Sequence, residues 1–234
     1  MTIAEDYKGQ HPAWCPGCGN FSIMKSFRDA MVEMNIEPHK FTIVSGIGQA
    51  AKFPHYTKCN TFNGLHGRAL PVASGMRIVN HEHLVMVFTG DGDCYGEGGN
   101  HFVHMEGMKT KNQPFGVFSE QLNPLALAIA LDCSFVARGF SGEMGHLKEL
   151  MKEAVQHRGF TLVDILQPCV SFNKINTFQW YKERVYHLDG SHDAEDRVKA
   201  FEKSLEWGER IPLGVLFRNN RPVYEERIMR KGFR

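Results

Sequence analysis

The residues with the most definite chemical potential sit where an apolar run gives way to glycine and carboxylate. Leu84–Phe88 is continuously apolar, and Thr89-Gly90-Asp91-Gly92-Asp93 follows it directly. Glycines let the backbone turn sharply and approach a ligand, and the two carboxylates arrive just beyond a strand's carboxyl end, where open α/β sheets bind ligands. A further glycine set, Gly96, Gly98 and Gly99, leads into a predicted helix. Backbone N–H groups there can face a phosphate while Asp91 holds a hard cation such as Mg2+ beside it. A magnesium-bridged diphosphate accounts for both parts of the motif. A tight turn whose aspartates cap the next helix accounts for the first part alone.

Two other glycine turns can share that edge. The strand candidate Phe41–Val44 ends in Ser45-Gly46-Ile47-Gly48-Gln49, with Lys52 close behind as a cation for phosphate or carboxylate, or as an ordinary solvated lysine. Asn63-Gly64-Leu65-His66-Gly67-Arg68 sets an imidazole and a guanidinium between glycines just before a predicted helix, Ala69–Val79. That pair suits proton transfer and anion recognition. In a parallel sheet all three turns fall on one side and line one cleft.

A different chemistry resides in Trp14-Cys15-Pro16-Gly17-Cys18. Thiols at this spacing ligate iron–sulfur clusters or zinc, or form a redox dithiol. The dithiol reading requires a strand before the motif and a helix after it, whereas a polar lead-in precedes Trp14. Two inert structural thiols are the remaining option.

The elements that must position these groups follow from periodicity. Phe21, Met24, Phe27, Met31 and Met34 mark a core-facing helix from an Asn20 cap to about Met34. Leu84–Phe88 reads as a central strand buried on both faces. Asn123-Pro124 opens a helix through Leu131, Ser134–Ala137 is a strand, Gly142–His157 a helix, and Phe160–Leu166 a buried strand ending at Gln167-Pro168-Cys169. Ser171–Glu183 reads as a loop packing on a partner, Asp193–Trp207 as a surface helix, and Val215–Arg234 as a basic tail. The 234 residues, 42% hydrophobic, suffice for one large domain, taken as 1–234, with an N-terminal cysteine segment. A net charge of +1 gives no field that recruits nucleic acid or a membrane. No apolar run reaches the ~18 residues of a membrane span, and Met1–Gln10 is too polar for a signal peptide. A cytoplasmic location is expected, and with it six cysteines that serve as ligands, redox groups or packing rather than disulfides.

Taken together, WCPGCGN, VSGIG, HGRALP, GDGD and GEGGNHF, then Phe135–Gly139, Asp164–Cys169 and Trp180–Arg184, resemble the thiamine-diphosphate-binding beta subunit of 2-oxoacid:ferredoxin oxidoreductases over about Trp14–Leu188. The resemblance implies a thiamine-diphosphate-binding α/β fold with a mostly parallel sheet flanked by helices. It also implies bound thiamine diphosphate and Mg2+, and CoA-dependent oxidative decarboxylation of a 2-oxoacid to an acyl-CoA. Electrons would leave through a [4Fe-4S] cluster to ferredoxin. Asp91 would bind magnesium, and Gly46, Ile47, Gly48, His66, Gly90, Gly92, Asp93 and Gly99 would surround the cofactor. His66 and Lys52 are the candidates for substrate or proton-transfer contacts. The glutamate that activates the aminopyrimidine ring has no match in this chain and is expected from an alpha subunit.

Two departures from the family pattern stand out. The cluster ligands would match Cys15, Cys18 and Cys169, but Gln49 occupies the place of the fourth cysteine. An amide is a poor substitute for a soft thiolate, so Cys59, ten residues further on, is the expected replacement. Cys94 and Cys133 read as small apolar packing. The family's next buried strand and its Asn-Asn pair, carrying a second magnesium ligand, are also missing after Gly99–His104. Loss of a central strand strips its neighbours of backbone partners, which predicts an omitted segment near 104–107 and a break in the backbone between about Phe102 and Met108. The competing functions are a non-redox thiamine decarboxylase or carboligase, and a zinc-stabilised nucleotide-binding module.

Overall fold

In a computed structural model the structure describes residues 1–97, 122–224 and 226–227. Gly99, the helix expected from Gly99 and the expected break near 104–107 lie outside the described residues. The chain divides into two compact units, Met1–Trp14 with Met31–Leu122, and Cys15–Ala30 with Asn123–Arg234.

The first unit is built on three parallel strands, β1 (Phe41–Ser45), β2 (Asn60–Asn63) and β3 (Leu84–Phe88), in the order β2-β1-β3. Parallel pairing needs crossovers. The one between β1 and β2 holds the short α2 (Phe53–Tyr56), and the one between β2 and β3 is α3 (Ala69–Val79), the helix expected from sequence. Val44, Ala69 and Ala73 pack with Val72, Met76, Val85 and Val87. Leu84–Phe88 forms β3 as expected, but the strand is less covered than the expectation of burial on both faces. Among the described residues it pairs with β1 alone and is half-buried throughout, while β1 is the middle strand and is wholly buried. An apolar run records that a strand is covered but not how many neighbours it has.

The second unit carries β4 (Phe135–Phe140), β5 (Thr161–Leu166), β6 (Val185–His187) and β7 (Ile211–Arg218) in the order β5-β4-β7-β6. Only the β4–β7 pairing is antiparallel, so the described sheets are mostly parallel. The long N-terminal helix α1 (Gly19–Glu33) starts at Gly19, so Asn20 lies inside it and is not its cap. Its predicted stripe is core, with Met24, Phe27 and Met31 buried. Asn123 does cap α4 (Pro124–Ala130), its Oδ1 accepting from Ala126 N at 3.0 Å. α5 (Met144–Gln156) fills most of its expected span. Ser171–Glu183 is not all loop, since α6 (Phe178–Lys182) forms there under a Thr177 cap. α7 (Arg197–Ser204), capped by Asp196, is shorter than the expected helix and buries Ala200 and Ser204. β7 replaces the start of the expected basic tail.

Leu125, Ile129, Val136, Ala200, Leu216 and Phe217 form the main buried cluster of this unit. Truncating a fully buried leucine loses both transfer energy and packing, so Leu125→Ala is expected to lower stability by about 2–5 kcal/mol. Val198→Ala, on the exposed face of α7, should cost less than about 0.5 kcal/mol. Urea unfolding midpoints of the two variants check the contrast.

Candidate functional site

Three turns of the first unit meet at one carboxylate. Asp93 lies in the π-helical stretch Gly92–Glu97 just after β3 and is 3% exposed. Its Oδ2 accepts from Thr89 Oγ1 at 2.6 Å, and its Oδ1 accepts from Gly67 N at 2.8 Å and lies 2.8 Å from His66 Nδ1. The backbone N–H of Ile47 donates to it as well. One side chain therefore ties the GDGD turn to the HGR turn and to the turn after β1. Burial alone pushes the Asp93 carboxyl up. The hydrogen bonds from Thr89, Gly67 and Ile47 and the charge of His66 outweigh it and hold the group below the usual carboxylate range.

The fit at Gly46 is part of the same arrangement. A Cβ there would lie 2.3 Å from Asp93 Oδ2, so only glycine admits the carboxylate. Gly48, at φ +110, and Gly92 have open space where a side chain would stand. Around them, Ile47, His66, Arg68 and Asp91 are exposed, and Lys52, in a short 3-10 turn after Gln49, is partly exposed. The turn after β1 is braced from behind. Trp14 Nε1 donates to Gln49 O at 2.9 Å, its ring packs on Phe53 and Tyr56, and Phe53 stacks on Phe88 at 4.1 Å. Sequence reasoning places Trp14 only in the cysteine motif and gives Thr89 no role beyond the turn, because neither residue type carries a signal for what it will brace.

His66 is oriented by its Nδ1 contact with the Asp93 carboxylate while 45% of its side chain stays exposed, an arrangement suited to proton transfer. Asp91 leaves an exposed carboxylate of the hard-oxygen type that Mg2+ takes, beside open glycine backbone that can approach a phosphate. The residues therefore fit a magnesium-bound diphosphate, with Asp91 available for the metal and Asp93 occupied in holding the loops.

The cysteines separate into two groups. In the second unit, the Cys15–Cys18 turn is closed by Cys18 N donating to Cys15 O at 3.0 Å, with Gly17 at φ +78. It packs on the segment after β5. Gln167 Nε2 donates to Cys18 Sγ at 3.3 Å, Phe172 N donates to Cys169 Sγ at 3.4 Å, and a Cβ on Gly19 would lie 2.6 Å from Gln167 Cγ. Cys15 and Cys169 are exposed. Exposed thiols such as Cys15 and Cys169, and sulfurs that accept N–H bonds such as Cys18 and Cys169, suit soft-metal ligation. In the same unit Arg138 Nε donates to Asp164 Oδ2 at 3.1 Å across the β4–β5 register, which joins two of the quoted motifs. Cys59, in the first unit, differs. Its Sγ lies 3.9 Å from Thr57 O and burial pushes its thiol up to about 12. Burial likewise raises Cys94 to about 11 and raises Cys133, which packs on the main cluster.

Comparison with known proteins agrees with this arrangement. Residues 44–111 match the model of the thiamine pyrophosphate enzyme C-terminal TPP binding domain, and residues 169–231 match the C-terminal model of the pyruvate ferredoxin oxidoreductase beta subunit. A 2-oxoacid:ferredoxin oxidoreductase subunit beta of Sulfolobus sp. is 40% identical over 258 aligned positions, covering 92% of this chain and 85% of the relative. This chain is a 2-oxoacid:ferredoxin oxidoreductase beta subunit. A 2-oxoglutarate oxidoreductase subunit KorB of Mycobacterium tuberculosis is 31% identical, over 88% of this chain and 60% of that one. The solved 2-oxoglutarate:ferredoxin oxidoreductase of Magnetococcus marinus, with 2-oxoglutarate, coenzyme A and succinyl-CoA bound, matches with a TM-score of 0.92 and 29% identity over 98% of this chain and 89% of that chain. The protein therefore belongs to an oxidoreductase with a thiamine-diphosphate-binding α/β fold. Among its described residues no helix is long and apolar enough to cross a membrane.

Because the Asp93 carboxyl is held low, the unfolded chain binds the proton more readily than the folded protein does. The stabilisation is complete above the unfolded value of ~3.9 and is lost as the pH falls through the lower folded value. Asp93→Asn is expected to cost about 1–3 kcal/mol at neutral pH and to flatten the acid limb of the stability profile. Unfolding midpoints measured from about pH 6 down to pH 2 check both effects.

Proposed function

We propose that the protein binds thiamine diphosphate through Mg2+ at Asp91 and passes electrons from oxidative decarboxylation of a 2-oxoacid to a [4Fe-4S] cluster held by Cys15, Cys18 and Cys169. The observation that carries the first half is the convergence of three glycine turns on Asp93, which leaves Asp91 exposed as a hard ligand. When bound, thiamine diphosphate supplies a ylid that adds to the keto group and stores the electrons left after carbon dioxide departs. The chain's own residues position and protect. Asp93 orients His66, whose imidazole moves a proton at the substrate side. Lys52 and Arg68 offer cations to carboxylate or phosphate oxygens. The products are carbon dioxide and, with CoA, an acyl-CoA. Ferredoxin takes the electrons, and an alpha subunit supplies the activating glutamate.

The fourth cluster ligand has a cost attached. Ligation by Cys59, the candidate from sequence, requires its thiol to leave a desolvated position and ionise against a pKa of about 12. We also infer that an internal segment near 104–107 is absent from the sequence. The 258 positions of the Sulfolobus alignment exceed this chain's 234 residues, so at least 24 of them have no residue of this chain opposite.

Asp91→Ala should abolish Mg2+-dependent thiamine diphosphate binding, read by calorimetry, while leaving the unfolding free energy within about 0.5 kcal/mol of the parent because the side chain is exposed. Unchanged affinity removes Asp91 from the site. For the cluster, iron counting on serine variants of Cys15, Cys18 and Cys169 should show loss in each. Cys59→Ser decides the fourth position, with lost or converted iron placing Cys59 there and full iron content assigning that position to a non-protein ligand.

A further inference from the structure

Outside the residues used so far, the second unit gathers Glu143, His146 and His187, one ligand atom from each lying within 4.8 Å of the others. Glu143 is the residue just before α5 and makes no side-chain capping bond, so its carboxylate is not committed to the helix end. Its Oε2 lies 2.8 Å from His187 Nε2. His146, three residues on, comes from the same helix entry, where this spacing puts both side chains on one face. Its ring meets that of His187 edge to face, with centroids 4.4 Å apart. His146 Nδ1 is buried and has no hydrogen-bond partner among the described residues. A buried polar atom without a partner is uncommon and costs free energy unless something completes its shell.

The supports are rigid. Glu143 follows β4 by a tight turn, its N–H donating to Phe140 O at 3.0 Å, and His187 ends β6 opposite Leu213 of β7. β4 pairs with the same stretch of β7, Arg138 standing opposite Gly214. The sheet thus holds two of the three ligands.

We propose that Glu143, His146 and His187 form a binding site for a divalent transition-metal ion, with Zn2+ the best match. Two imidazoles and a carboxylate with an open fourth position are a zinc donor set. Bonds of ~2.0–2.2 Å in tetrahedral array put ligand atoms roughly 3.3 Å apart, so the observed spread closes with side-chain shifts of about 1 Å. His187, with 53% of its side chain exposed, has the freedom to make them and leaves the ion an entry path.

Co2+ is the probe, added to the as-purified oxidoreductase complex with its cysteines in their native state. One equivalent should bind with a nitrogen- and oxygen-type ligand-field spectrum lacking a sulfur-to-cobalt charge-transfer band. His187→Gln and His146→Gln should each weaken binding by more than the ~10–100-fold that loss of an outer-shell partner costs. Glu143→Gln should weaken it too, and unfolding midpoints verify that all three variants fold. His187→Gln, at an exposed position, keeps the test valid if His146→Gln does not fold. No binding at millimolar Co2+, a sulfur charge-transfer band on its own, or a spectrum that survives His187→Gln would each overturn the site.

Discussion

The candidate cofactor site depends on one buried carboxylate. Asp93 is almost fully withdrawn from water, which is costly for a charge unless donors surround it. Thr89, Gly67, Ile47 and His66 supply them from three turns that are distant in sequence. Each turn is fixed because the charge needs it, and the charge is tolerated because each turn is there. Removing one donor leaves the others holding an under-solvated anion, so these loops form a cooperative unit. The two aspartates of the GDGD motif therefore stand in opposite surroundings. One is inside and structural, and the other is outside and chemically available.

The protein divides its ligand chemistry by softness. Oxygen donors and open glycine backbone lie in the first unit, and outward thiols with N–H donors lie in the second. Hard magnesium with phosphate and soft iron with thiolate would compete badly for one mixed site. Separate turns keep the oxygen donors and the thiols apart. The Arg138–Asp164 pair extends the same logic, since a partly buried ion pair across β4 and β5 fixes the strand that delivers Cys169. Arg138 also lies over Trp207 at 5.4 Å, which shields the pair on one side.

Much of this is legible in sequence wherever local chemistry decides structure. The α3 boundaries, the Asn123-Pro124 helix start and the methionine stripe of α1 follow from spacing and capping alone. What sequence does not carry is neighbourhood. Leu84–Phe88 is the more apolar run, yet it is half-buried, while Phe41–Ser45, which carries Thr42 and Ser45, is wholly buried. β7 is hidden by Pro212 and by Gly214, whose φ of +128 suits glycine within an irregular pairing to β4. β2 is exposed and polar, so it shows no periodicity, and its pairing to β1 is backed by Asn63 Nδ2 donating to Ser45 Oγ at 2.7 Å. The distinction between Asp91 and Asp93 is invisible for the same reason, since two aspartates one residue apart differ only in what surrounds them. Glu143, His146 and His187 escape a reading of local motifs because two lie on a helix entry and the third is more than forty residues away on a strand.

The proposed function joins thiamine chemistry to electron export in one chain. It is tested most directly by electron paramagnetic resonance of the anaerobic complex, frozen after addition of 2-oxoacid and CoA. Substrate is expected to reduce an iron–sulfur cluster in the wild-type complex and to leave it oxidised in Asp91→Ala with its iron content intact. Release of carbon dioxide with the cluster still oxidised, or a complex that holds zinc and no iron, would contradict it.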